Sequence, residues 1–207
     1  MNAPLVMGVI NITPDSFYAG SRQMNEKDIL NNVEKMLTDG ASIIDIGGYS
    51  SRPGAEHISE QDEAQRVLHP IAEVRKRFPD VIITVDTFRS AIARKAVDAG
   101  ADMINDISGG ELDHELHNTV AQLQVPYICM HMKGTPETMN SLANYSNLEH
   151  EIITYFHQKI AALQKLGVKD IIIDPGFGFA KTIEQNFQLM NNLNLLSLLG
   201  KPLLIGI

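Results

Sequence analysis

Along the chain, apolar positions change period in a repeating order. A helical amphipathic stretch ends at a glycine, a short apolar run follows, and a polar residue closes the run. The pattern is clearest at Gly40-Ala41-Ser42-Ile43-Ile44-Asp45 and Gly100-Ala101-Asp102-Met103-Ile104-Asn105, with a looser copy from Gly167 to Asp174. Glycine at those points fits the left-handed residue just past a helix end. Ala64, Val67, Leu68, Ile71, Val74 and Phe78 share one face of the segment 59–78, and Ile152, Phe156, Ile160 and Leu163 one face of 148–166. Ser59 suits the N-cap of the first of these helices, and Pro70 predicts a kink or break inside it.

The runs between helices are apolar on both faces, as at 81–85, 127–130 and 171–173. That is the mark of parallel strands covered by helices. About seven strands fall near residues 4–11, 42–48, 81–86, 103–108, 127–132, 170–175 and 202–207, with about six helices between them. Such alternation leaves a doubly wound sheet or a (β/α)8 barrel. The polar residues favour the barrel. Asn11, Asp45, Asp86, Asn105, His131 and Asp174 stand at or near the C-terminal ends of strands, which in a barrel converge on one mouth. A doubly wound sheet would gather such residues at a single switch point. The expected fold class is therefore α/β, a TIM barrel incomplete at its C-terminus, with residues 1–207 forming a single domain that lacks the last helix, strand and helix. The chain ends inside the seventh predicted strand. It is expected to be part of a longer enzyme, and alone to fold poorly and turn over little, because strands one and seven would have exposed edges.

Composition removes several classes of function. Of 207 residues, 44% are hydrophobic and 20% charged, with a formal net charge of -8. No stripe of lysine and arginine could follow a phosphate backbone, which argues against a nucleic-acid partner. No apolar stretch approaches the roughly 18 residues of a membrane span, and the first residues read as a strand instead of a signal peptide. The single cysteine, Cys129, excludes an internal disulfide and suits a reducing cytoplasm. In a buried strand with no evident base beside it, it reads as packing. No histidine and cysteine spacing suggests zinc. His57, His69, His114, His117, His150 and His157 read as solvated, and His131 as either a ligand contact or a core histidine.

Two loops carry candidate chemistry. After strand two, Gly47 and Gly48 let backbone amides approach an anion, Ser51 offers a hydroxyl, and Arg52 a forked permanent cation. Together they suit a phosphate or diphosphate clamp, although ordinary turns use the same residue types. After strand one, the Asn11 side-chain oxygen suits a hard cation such as Mg²⁺ or a simple turn. Asp86, Asn105 and Asp174 form a second set. Buried carboxylates need donors, and a planar heterocycle with an amino group and a ring N–H supplies them, while an asparagine reads the neighbouring edge. Ile107, Met130 and Phe179 suit the apolar walls of such a pocket. The alternative is an interior acid paired with lysine or arginine, and Asp45 reads that way.

At these residues the chain resembles the dihydropteroate synthase family. The segments that carry the resemblance are MGVINITPDSF (7–17), DIGGYSSRPGA (45–55), VDT (85–87), INDISGG (104–110), MHMKGTPETM (130–139) and DPGFGF (174–179), in family order. The resemblance implies a cytoplasmic, homodimeric barrel with small-molecule substrates. It would condense 6-hydroxymethyl-7,8-dihydropterin diphosphate with 4-aminobenzoate on the folate pathway, and sulfonamides would inhibit it. Asp86, Asn105 and Asp174 match the residues that hold the pterin. Asn11 matches the residue at the Mg²⁺-diphosphate, Ser51 and Arg52 the anion contacts, and Pro53 and Phe179 positions near 4-aminobenzoate. The implied catalysis has Arg52 and Mg²⁺ stabilising departing diphosphate while Asp86 and Asp174 hold the ring. Tyr49 stands where many members have glutamate. The family's later Ser-Arg-Lys and Arg-x-His segments are not in this chain. Two rivals remain open: a pterin-dependent methyltransferase barrel, which has no need of the Ser51-Arg52-Pro53-Gly54 loop, and a non-catalytic pterin-binding paralogue.

Overall fold

Helices that end at glycine hand the chain to short apolar strands, and the strands stop close to their first polar side chains. The computed structural model describes residues 4–12, 26–50 and 57–206. It contains β1 (Met7–Asn11), α1 (Glu26–Thr38), β2 (Ile43–Gly47), α2 (Glu60–Arg77), β3 (Ile82–Asp86), α3 (Ser90–Asp98), β4 (Met103–Asp106), α4 (Leu116–Leu123), β5 (Tyr127–Met130), α5 (Leu148–Lys165), β6 (Ile171–Asp174) and α6 (Ile183–Asn191). Gly40, Gly100 and Gly167 all take positive φ at helix ends, as expected. Among the described residues, no helix is long and apolar enough to cross a membrane.

The described residues up to Asn105 pack as one compact unit and those from Asp106 onward as a second. In the first unit β1, β2 and β3 pair in parallel, and β4 joins β3. Their inner residues Ile44, Ile46, Ile83 and Val85 are fully buried, as are Val67, Ile71 and Val74 of α2. In the second unit β5 pairs with β6. Its core includes Tyr127, Ile128 and Cys129 of β5, Ile173 of β6, and Ile152, Phe156 and Leu163 of α5, all at 0% exposure.

Ser59 caps α2 as the sequence predicts: its hydroxyl accepts from Asp62 N, and the Asp62 carboxylate accepts from Ser59 N. The break expected at Pro70 and the seventh strand are corrected. Pro70 neither ends nor splits α2, which runs unbroken through it. A proline inside a helix costs about 3 kcal/mol, whereas each fully buried aliphatic side chain contributes about 1.5–3 kcal/mol, and Val67, Ile71 and Val74 flank it. The seventh predicted strand is reduced to one bridge. Ile173 donates to Pro202 O at 3.0 Å and accepts from Leu204 N at 2.9 Å, and Pro202, having no N–H, donates nothing to a ladder.

Candidate active site

Strand register brings four of the candidate positions into one row within the first unit. Asn11 pairs with Gly47, Gly47 with Asp86, and Asp86 with Asn105, so one row crosses the C-terminal ends of four strands. Gly47 is the floor between two oxygens: a Cβ there would lie 3.1 Å from Asp86 Oδ2 and 3.2 Å from Asn11 Oδ1. Beneath the row, Asn105 Nδ2 donates to Asp45 Oδ2 at 3.1 Å. Asp45 Oδ1 is buried with no hydrogen-bond partner among the described residues. Asp45, read from sequence as an interior acid held by neighbours, is thus held on one side only.

Asp45 also titrates usefully. Burial, opposed by the Asn105 hydrogen bond, pushes its carboxyl from 3.8 up to about 7. An unfolded chain loses this proton near pH 4 and the folded one near pH 7. The folded state therefore loses stability as pH rises through that window, and nothing further above it. Asp45→Asn should gain on the native protein by on the order of 2 kcal/mol between pH 5 and pH 8. Denaturant unfolding at both values measures the difference, and an equal difference at the two would contradict the assignment.

A buried network missed by the sequence reading fixes the row from behind. Glu63 of α2, at 0% exposure, accepts from Thr87 Oγ1 at 2.6 Å and pairs with Arg89. Burial raises its carboxyl, and those two partners oppose the rise. Arg89 also donates to Ile58 O at 2.7 Å, and Thr87 N donates to Asn105 O at 2.9 Å. The Tyr49 ring packs edge-on to Phe88 at 5.1 Å, under the Arg89 guanidinium, with its hydroxyl 3.2 Å from His57 Nδ1. A neutral, stacked Tyr49 thus has a packing reason to stand at that position.

The other candidates lie in the second unit. Met130 pairs with Asp174 across β5 and β6, Ile107 and Met130 are buried, and Phe179 is half-buried. Asp174 Oδ1 accepts from Gly176 N at 2.8 Å, and burial raises its carboxyl to about 6. His131 proves to be a buried core histidine, with Nδ1 3.2 Å from Lys181 Nζ. His117 is corrected from solvated: its Nε2 is buried without a hydrogen-bond partner among the described residues, and its ring meets Tyr127 edge-on at 5.6 Å. Burial pushes the Cys129 thiol up, as expected for a packing residue. Asp106, not singled out from sequence, is a fully buried carboxylate that accepts from Tyr127 Oη, Ser108 Oγ, Ser108 N and Gly110 N. The candidates Ser51, Arg52 and Pro53 lie outside the described residues. Among the described residues, no cluster of three or more histidine, cysteine or acidic side chains could hold a metal ion.

The family profile described as "Pterin binding enzyme" matches residues 7–207. The chain belongs to the pterin-binding enzyme family. Within that family its likeness is to the dihydropteroate synthases. The Synechocystis sp. dihydropteroate synthase is 43% identical over 203 residues, covering 97% of this chain and 70% of that protein. A Yersinia pestis dihydropteroate synthase structure with a sulfonamide drug complex superposes with a TM-score of 0.92 at 38% identity, covering 99% of this chain and 74% of that one. The Xanthomonas albilineans dihydropteroate synthase with 4-aminobenzoic acid gives a TM-score of 0.90 at 35% identity over 99% and 72% of the two chains. The pterin-binding enzyme is therefore a transferase of the dihydropteroate synthase type. Its α/β fold, with six parallel strands among the described residues, is that of the synthase barrels in part.

Proposed function

We propose that the row Asn11, Gly47, Asp86, Asn105, with Asp45 beneath it, is the pterin-reading face of this dihydropteroate synthase. The buried Asp45 Oδ1, unpartnered among the described residues, carries this reading, since a buried acceptor without a donor costs about 1–3 kcal/mol and a pterin edge offers N–H groups. Asp86 accepts from the ring N–H and amino group, and Asn105 reads the adjacent edge. Asp174 is a second acceptor for the pterin, and Ile107 and Met130 are its apolar walls. Phe179 and Pro53 face 4-aminobenzoate.

In the reaction the arylamine nitrogen attacks the pterin methylene carbon. A C–N bond forms, the C–O bond breaks with its electrons leaving on diphosphate, and the amine proton is lost. Positioning contributes more here than a strong base. Ser51 and Arg52 bind the departing diphosphate. Asn11 Oδ1, which would lie 3.2 Å from a Cβ at Gly47, suits a hard cation that takes few protein ligands. Mg²⁺ held there by Asn11 would supply neutralising charge at the diphosphate. The enzyme is read as a cytoplasmic homodimer, and sedimentation of the purified protein checks the second term.

Release of diphosphate from the pterin diphosphate, with and without 4-aminobenzoate, tests the reading. Release should require 4-aminobenzoate and fall about 10²-fold in Asp86→Asn, which keeps the shape and loses the charged acceptor. Release that ignores either change would sink it.

A further inference from the structure

Asp174 and Lys181 bracket a single residue. Gly176 gives its N–H to Asp174 Oδ1 at 2.8 Å, and its carbonyl accepts from Lys181 Nζ at 2.8 Å. Lys181 Nζ also donates to Phe179 O at 2.9 Å and meets His131 Nδ1 at 3.2 Å. The carbonyls of Gly176 and Phe179 take two of its protons, and the ammonium form has a third for His131 Nδ1. The ring that accepts it is the neutral tautomer with its proton on Nε2. Burial first, and the Lys181 charge next, push its pKa down to about 3. The lysine side chain is itself buried, at 9% exposure. Burial lowers it to about 7, while the Asp174 charge draws it back upward.

The surrounding groups do not duplicate that charge. Lys133 repels both Lys181 and His131 and is paired with Glu151 at 2.8 Å. Tyr145 and Tyr155 pack around the His131 ring, and the buried Cys129 thiol is pushed up in part by Asp174. Burial raises Asp174 most, the Gly176 N–H lowers it next, and Lys181 then lowers it as the one opposite charge among the described residues. A buried carboxylate without such a partner tends to protonate and then donates where an acceptor is needed.

We propose that Lys181 is a positioning residue of the synthase: it holds the 176–179 turn in shape and keeps Asp174 ionised to accept from the pterin. The inference rests on Asp174 being a pterin acceptor. A lysine that only braced the turn would affect stability and leave the pH dependence of pterin use alone.

The experiment is the pH profile of kcat/KM for pterin diphosphate, with thermal midpoints, in the native protein, Lys181→Gln, Lys181→Met, Lys181→Arg and Asp174→Asn. The profile reports ionisations of the free enzyme. The native acid limb is expected near the Asp174 value of about 6. Lys181→Gln keeps a donor for the turn but no charge, and should move that limb up by about one pH unit. At pH 7 it should raise KM for the pterin about two-fold, as the ionised fraction of Asp174 falls from about nine-tenths to about half, with less change in kcat. Lys181→Arg should return the limb toward its native place. Lys181→Met is the second neutral variant should the first not fold. An unmoved limb in the neutral variants, with only a lowered midpoint, overturns the proposal. An acid limb that survives in Asp174→Asn instead overturns the reading of Asp174 on which it rests.

Discussion

Gly176→Ala should lower stability by about 3 kcal/mol or more and cut 4-aminobenzoate-dependent turnover by about 10²-fold. Two penalties act together. Gly176 has φ +69°, in the left-handed region, where a side chain costs about 1–2 kcal/mol. A Cβ there would also stand 2.2 Å from His131 O and 3.3 Å from Met130 Cγ. The first of these neighbours is backbone and cannot rotate away. His131 N is itself bonded to Asp174 O at 2.9 Å, so the strand end and the turn cannot part without losing that bond. The turn must therefore move, taking with it the Gly176 N–H that aims Asp174 and the carbonyl that Lys181 holds. Thermal melting should show a fall of about 6–12 °C. Steady-state kinetics at a temperature where the variant is folded should show the turnover loss. A folded variant with native turnover would mean that the turn does not place Asp174 for chemistry.

Asp106→Ala should be the most destabilising of the core changes, by about 3–5 kcal/mol. Asp106 is at 0% exposure and accepts four hydrogen bonds, from Ser108 N at 2.8 Å, Ser108 Oγ at 2.7 Å, Gly110 N at 2.6 Å and Tyr127 Oη at 2.6 Å. Its truncation strands those donors, among them the hydroxyl of a fully buried tyrosine. An orphaned buried donor costs more than the hydrogen bond contributed. Burial raises the Asp106 carboxyl, and its four donors oppose that rise. The double variant Asp106→Ala, Tyr127→Phe should recover about 1–2 kcal/mol relative to the sum of the single changes, because it removes the stranded hydroxyl. Chemical denaturation of the four proteins closes the cycle. Strict additivity would show that the tyrosine does not depend on the carboxylate.

These two residues show which part of the molecule a linear reading reaches. Ser59 with Asp62 three residues on, glycines past helix ends, and apolar runs closed by Asn11, Asp86, Asn105 and Asp174 are local signals, and the structure keeps them. Asp106 also ends a short apolar run, yet nothing in sequence distinguishes it from a ligand-binding acid. Its donors, two to 21 residues away, show that it braces a loop. Pro70 departs in the other direction, since it does not break α2. Its local cost is real but smaller than the burial of the helix face it shares, which depends on what that face packs against.

The sequence by itself determined the alternation of strand and helix, the strand ends where chemistry collects, and the family to which they belong, because these follow from periodicity, caps and motifs read within a few residues. The tertiary structure decided which buried charges are held and by what. Asn105 reaches Asp45 across 60 positions, Lys181 meets His131 across 50, and Arg89 reaches Glu63 across 26. Whether a carboxylate or ammonium is tolerated in a core depends on the donors and acceptors within about 3 Å of it. Only folding brings residues that far apart in sequence to that distance.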